Sequence, residues 1–425
     1  MMNINECRNI LSGNDTLEVL HQLYAEKADE NKDRYLKLLD LYEETFGQAD
    51  SIALFSAPGR TEIGGNHTDH QHGRVLAASV DLDSIAAASR NDDGKIRILS
   101  QGYPMCEIDL NSLDVKEEEK NSTAALIRGM AAGFRNDGCD VGGFTAVCTS
   151  SVLPGSGISS SASFEVLVGN IINSLYFDGK ADAVRIAQLG QYAENVYFGK
   201  PSGLMDQTAC SVGNILTIDF EDPAKPVVAK LPVDFDKLGL ALCIIDSGAS
   251  HADLTDEYAA IPQELKKICE LFGKSVLREI TEEDFMARLP EVRSAAGDRA
   301  ALRAMHVYAD NGRVLRQAEA LRSGDTESFL SLVNESGNSS WLYLQNIVPT
   351  GATTHQEMGI TLALARKLLA GKGACRVHGG GFAGTVQAFV PIDMLEEFRK
   401  GMERVLGEGS CHVLRIRPVG GCQVL

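Results

Sequence analysis

Between a β-prone run, Phe144 to Val147, and an apolar run that opens like a helix, Phe164 to Leu175, stands Leu153-Pro154-Gly155-Ser156-Gly157-Ile158-Ser159-Ser160-Ser161-Ala162-Ser163. Small residues let the backbone approach a ligand closely, and consecutive amides at a helix start cradle anionic oxygens. Serine hydroxyls placed there bond phosphate or coordinate Mg²⁺. A Gly/Ser-rich loop with a serine N-cap explains the stretch as well, so the reading needs support from elsewhere in the chain.

Three further segments supply it. Ala57-Pro58-Gly59-Arg60-Thr61-Glu62-Ile63-Gly64-Gly65-Asn66-His67-Thr68-Asp69-His70 crowds an Arg, two acids and two His onto a sharply turning backbone. That density of polar groups is costly to bury unless the groups bind a ligand or one another. Glu194 precedes Asp206 in Pro201-Ser202-Gly203-Leu204-Met205-Asp206-Gln207-Thr208, where an acid after an apolar pair is expected to point into a partly enclosed space. A carboxylate there can take a proton from a sugar hydroxyl, and Glu194 near a helix end can hold a metal. Val377-His378-Gly379-Gly380-Gly381-Phe382-Ala383-Gly384, before a strand, points to a second close approach of backbone to ligand. Each segment alone has an ordinary reading as a solvated loop or turn.

In this order the segments resemble the three motifs of the GHMP kinases. The first is close to the galactokinase signature, of family form G-R-x-N-x-I-G-E-H-x-D-Y. The serine-rich stretch is similar to the P-x-x-x-G-L-S-S-S-A phosphate loop, Gly203-Leu204-Met205-Asp206-Gln207 to G-I-M-D-Q, and residues 379–384 to G-G-G-F-G-G. Glu257-Tyr258 stands where the family has a sugar-contacting E-Y. The resemblance runs from about residue 45 to the C-terminus.

It implies an ATP- and Mg²⁺-dependent sugar 1-kinase with a two-domain α+β GHMP fold, ribosomal-protein-like in its N-terminal half and ferredoxin-like in its C-terminal half. The active site would lie in the cleft between them. Asp206 would be the base that takes the anomeric proton, and Arg60 would keep it ionised. Ser161 (or Ser160) and Glu194 would hold Mg²⁺. Gly155, Ser156, Gly157, Ile158, Ser159, Ser160 and Ser161, with Gly380 and Gly381, would bind the nucleotide. Asn66, His67, Asp69, Gly203 and Tyr258 would bind the sugar.

The departures fall in the sugar segment. Asn66 replaces the family Glu whose carboxylate accepts from the C6 hydroxyl, His70 replaces Tyr, and Glu62 replaces Asn. An amide can also face a carboxylate. Galactose is therefore the expected substrate, with a uronic acid or pentose (galacturonate, arabinose) as the alternative. Two rivals from other classes stand beside it. His67-x-Asp69-His70-x-His72 invites a metal-hydrolase reading, and a sugar-sensing regulator that has lost turnover would keep the same fold.

The elements that must position these residues follow from pattern. Ile52 to Gly59 reads as a strand, Asp81–Ser89 and Lys95–Ser100 as a hairpin around Asn91-Asp92-Asp93-Gly94, and Ser122–Asn136 and Ala181–Tyr197 as helices. Ile215–Phe220 and Leu240–Ile245 suit buried strands. Residues 262–370 are mainly helical, with Thr354 and Glu357 forming a capping box. Thr385–Val390 is a strand and Met394–Leu406 a helix. Residues 15–47 read as charged surface helices. The expected division is an N-terminal extension over 1–30, one domain over 31–225 and a second over 226–425. The 425-residue length allows this, and the net charge of −18 speaks against nucleic acid or an anionic membrane as partner. Scattered cysteines and the lack of a long apolar run point to a cytoplasmic protein; a monomer or weak dimer is expected, though no residue pattern specifies it.

Overall fold

The computed structural model describes residues 2–13, 17–152, 157–200, 202–249 and 254–425. Helices α1 (Ile4–Ser12), α2 (Leu17–Tyr24) and α3 (Ala28–Phe46) lead into strands β1 (Ala53–Gly64), β2 (Arg74–Arg90), β3 (Lys95–Ser100) and β4 (Cys106–Asp109). Helix α4 (Thr123–Asn136) and strand β5 (Phe144–Ser150) follow, then helices α5 (Ser160–Tyr176), α6 (Ala183–Tyr192) and α7 (Met205–Val212). Strands β6 (Ile215–Asp219), β7 (Val227–Leu231) and β8 (Leu240–Asp246) precede a helical stretch. It comprises α8 (Thr255–Leu271), α9 (Glu282–Ala287), α10 (Leu289–Ala296), α11 (Asp298–Ser323), α12 (Thr326–Ser339) and α13 (Glu357–Leu369). The chain closes with β9 (Ala374–Val377), β10 (Thr385–Pro391), α14 (Leu395–Leu406), β11 (Cys411–Leu414) and β12 (Cys422–Gln423).

Two sheets result. The larger has the order β12-β1-β2-β5-β3-β4, with β6 and β7 added along the first half of β2. β7 carries this sheet past residue 225, and β12 returns the C-terminus to β1. The smaller sheet is β11-β8-β10-β9, all antiparallel. The α+β arrangement matches the expectation from sequence.

Side-chain alternation explains why both faces of the large sheet are covered. Ala53 and Phe55 on β1, Ala86 and Ala88 on β2, and Ala146 and Cys148 on β5 pack with α4 to α6. Their neighbours Leu54, Ile85, Ala87 and Val147 face the other way, onto Tyr35, Leu38, Leu39 and Tyr42 of α3 and onto α1 and α2. The N-terminal helices are thus one wall of a core, which corrects their reading as surface helices. β8 alternates likewise, with Leu240, Leu242 and Ile244 facing α11 and α12, and Cys243 and Ile245 facing α13 and α14.

Two local expectations change. β3 does not pair with β2. β5 lies between them, antiparallel to β2 and parallel to β3, so residues 91–94 cross over β5 and do not close a hairpin. α13 starts behind Gln356 with no side-chain cap, so Thr354 caps nothing.

Candidate active site

Register slips in the β1–β2 pairing, between Pro58 and Arg60 and between Glu62 and Gly64, re-aim side chains where the strand meets α5 and α7. Arg60 turns toward the start of α7. Its Nε donates to Asp206 Oδ1 at 2.6 Å and its Nη2 to Oδ2 at 2.7 Å, a bidentate pair. Arg60 Nη1 donates to the Gly157 carbonyl, and Ser159 Oγ donates to Asp206 Oδ2. Gly59 is required beneath, because a Cβ there would stand 2.7 Å from Ile158 Cγ2. Burial opposes charge on Asp206, but the Arg60 guanidinium outweighs it and holds the carboxyl at about 2. About a third of the Asp206 side chain (32%) stays exposed, so an ionised carboxylate faces solvent.

Glu194, 5% exposed at its side chain, lies in the π-turn Ala193–Phe198 behind this pair. Its Oε1 is 3.5 Å from Ser161 Oγ and 3.1 Å from Lys200 Nζ. Its Oε2 accepts from Gln207 Nε2 at 2.9 Å, and the same amide nitrogen donates to Glu165 Oε2 at 3.0 Å. Glu165 is buried, its pKa is raised well above the usual range by burial and then by Glu194, and its Oε1 has no partner among the described residues. Mg²⁺ prefers one or two protein oxygens plus substrate phosphates. A buried carboxylate oxygen converging with a serine hydroxyl at the start of α5 fits that demand. Glu165 and Gln207 went unassigned in the sequence, although Glu165 lies one helical turn after Ser161 and Gln207 is next to Asp206.

Of the residues expected to bind sugar, Asp69 and Gly203 meet. A Cβ on Gly203 would fall on Asp69 Oδ2, so only glycine admits that carboxylate. His67 Nε2 donates to the Gly380 carbonyl at 3.0 Å, which leaves Nδ1 as an acceptor, and burial and then His70 lower its pKa to about 4. Tyr258 Oη donates to the Gly381 carbonyl at 2.7 Å, and its ring packs edge-on against Phe382.

Two of these expectations meet a different placement. Asn66 is fully buried. Its Nδ2 donates to Glu62 Oε1 (3.0 Å) and the Gly379 carbonyl (2.7 Å), while Oδ1 accepts from Asn346 Nδ2 (2.9 Å) and Ser340 Oγ (3.2 Å). Glu62 pairs with buried Arg376 at 2.6 Å. The amide and carboxylate that depart from the signature therefore bond to each other inside the protein. Gly380 and Gly381 likewise sit against Tyr258 and Asn346, whereas His378 and Thr385 at the stem of that loop lie against Gly157. Ile158 is buried and Ser159 is committed to Asp206, which leaves Ser160 and Ser161 as the serines opening α5. Gly155 and Ser156 lie outside the described residues. Among the described residues no three His, Cys, Asp or Glu gather into a group that could hold a metal ion.

A galactokinase of Streptomyces coelicolor is 30% identical over 380 residues, 88% of this chain and 94% of that protein. The chain belongs to the galactokinase family. Residues 40–90 match the galactokinase galactose-binding signature and residues 125–214 the GHMP kinases N terminal domain. The Lactococcus lactis galactokinase, solved with galactose, superposes with a TM-score of 0.78 at 25% identity, over 90% of this chain and 97% of that one. Methanococcus jannaschii mevalonate kinase shares the fold, with a TM-score of 0.61 at 14% identity over 86% and 98% of the two chains. Membership in this family makes the protein an ATP-using phosphotransferase of GHMP fold. No helix among the described residues is long and apolar enough to cross a membrane.

Proposed function

We propose that the protein transfers the γ-phosphoryl group of MgATP to the anomeric hydroxyl of galactose, giving galactose 1-phosphate. The observation that carries this reading is the bidentate Arg60–Asp206 pair, with its ionised, partly exposed carboxylate between the sugar residues and the start of α5. Asp206 takes the proton of the attacking hydroxyl, and Arg60 keeps it ionised and offsets charge on the moving group. Asp69, His67 and Tyr258 orient the sugar. Ser161 and Glu194 would hold Mg²⁺, which would offset negative charge on the nucleotide phosphates. Amides at the start of α5 face the phosphates.

Galactose is favoured over a uronic acid because the Asn66 amide, which suggested otherwise, is spent on internal hydrogen bonds. The test is ADP release with MgATP across galactose, galacturonate and arabinose, with the product identified by ³¹P NMR. Galactose-dependent release giving a phosphate on C1 is expected. Faster turnover of galacturonate or arabinose, or phosphate on another carbon, would contradict it.

A further inference from the structure

The tip of the glycine-rich loop, residues 379–381, is held from the sugar side at each of its three carbonyls. Gly379 O accepts from Asn66 Nδ2 (2.7 Å), Gly380 O from His67 Nε2 (3.0 Å) and Asn346 Nδ2 (3.1 Å), and Gly381 O from Tyr258 Oη (2.7 Å). Asn346 belongs to none of the sequence motifs. It lies just after the π-turn Ser340–Leu344, has no exposed surface, and joins the two loops. Its Nδ2 also reaches Asn66 Oδ1 at 2.9 Å, and its backbone carbonyl accepts from Phe382 N at 2.6 Å.

The amide orientations are determined in sequence. Glu62 Oε1, which already accepts from Arg376, and the Gly379 carbonyl both need a donor, so Asn66 must turn its Nδ2 toward them. Asn66 Oδ1 then faces Asn346, which must answer with Nδ2. The Asn346 Oδ1 is buried with no partner among the described residues, so the position uses the amide for its donors at the cost of an unsatisfied oxygen.

We propose that Asn346 is a positioning residue for sugar binding. By tying Asn66 to the Gly380 carbonyl it fixes the spacing between the sugar loop and the glycine-rich tip, and with it the placement of His67 and Tyr258. The inference rests on the galactose reading above. The phosphate loop contacts the other end of the same hairpin, at His378 and Thr385, so the effect of Asn346 falls on the sugar and spares the nucleotide.

Asn346→Asp keeps the shape but sets a carboxylate oxygen against Asn66 Oδ1 and the Gly380 carbonyl. The KM for galactose should rise about tenfold or more. Turnover and the dissociation constant of a non-hydrolysable ATP analogue, by calorimetry, should stay within about threefold of wild type. Asn346→Ala, which adds no charge, should shift the same way by less. An unchanged galactose KM in a folded variant, or equal losses for sugar and nucleotide, overturns the proposal. So does failure of both variants to fold, which would make Asn346 a residue of general stability. A wild-type enzyme inert toward galactose fails the underlying reading instead, and is seen before any variant is made.

Discussion

Two arginine–carboxylate pairs lie about one strand apart, and they do opposite work. Asp83 on β2 receives Arg417 Nη1 (3.1 Å), Arg34 Nη1 (2.8 Å), Tyr24 Oη (2.5 Å) and Ser56 Oγ (2.5 Å), with both it and Arg417 fully buried. Burial alone would raise its pKa, yet the two guanidiniums bring it below the usual value. Every face of that carboxylate is occupied, and the groups that occupy it come from α2, α3, β1 and the C-terminal tail. Asp206 has one guanidinium and one hydroxyl and keeps part of its surface open. The same chemistry forms a buried clasp where it is saturated and, in the proposed function, supplies a base where a face is left free. Exposure, and not pairing, separates the two.

The largest expected effect is on the open pair. Asp206→Asn should lower turnover by on the order of 10²–10⁴ while nucleotide affinity and the melting transition stay near wild type. Arg60→Met should lower turnover by on the order of 10²–10³ and move the acid limb of kcat/KM upward, since the Asp206 carboxyl loses the charge that depresses it. The closed pair should answer in stability instead. Asp83→Asn leaves two guanidiniums without their anion and should cost on the order of 3–5 kcal/mol in denaturant unfolding. The kcat of its folded fraction should stay close to wild type, and a selective loss of turnover would erase the contrast.

The smallest expected effect is the absence of one. The Asp206 pKa lies at about 2, so its basic form prevails at all higher pH, and His67, lowered to about 4, stays neutral above that. Neither group should give kcat/KM an acid limb between about pH 5 and 8. A limb in that window that disappears in His67→Asn would show that the imidazole titrates there after all.

Much of this was legible in the chain. The run Ile52 to Gly59 announced β1, and the resemblance of the segments carrying Arg60, Ser161, Glu194 and Asp206 to the GHMP kinase motifs announced the reaction class. What sequence could not give were the partners of buried groups. Asn66 looked like a sugar contact because it stands within the segment that resembles the galactokinase signature, but its destination is set by Glu62, four residues back, and by Asn346, far along the chain. The hairpin expected at residues 91–94 failed for a similar reason, since a turn signal cannot reveal that β5 will insert between the flanking strands. Residues 17–46 carry charge enough to look solvated, and only the second apolar face of β1, β2 and β5 explains why their other side is buried.

A crystal structure with galactose and a non-hydrolysable ATP analogue bound tests the central claim most directly. The account predicts the C1 hydroxyl oxygen within about 2.6–3.2 Å of an Asp206 carboxylate oxygen, on the side away from Arg60. A sugar whose C1 oxygen points elsewhere, with Asp206 still closed on Arg60 and Ser159 and touching no substrate atom, would contradict it.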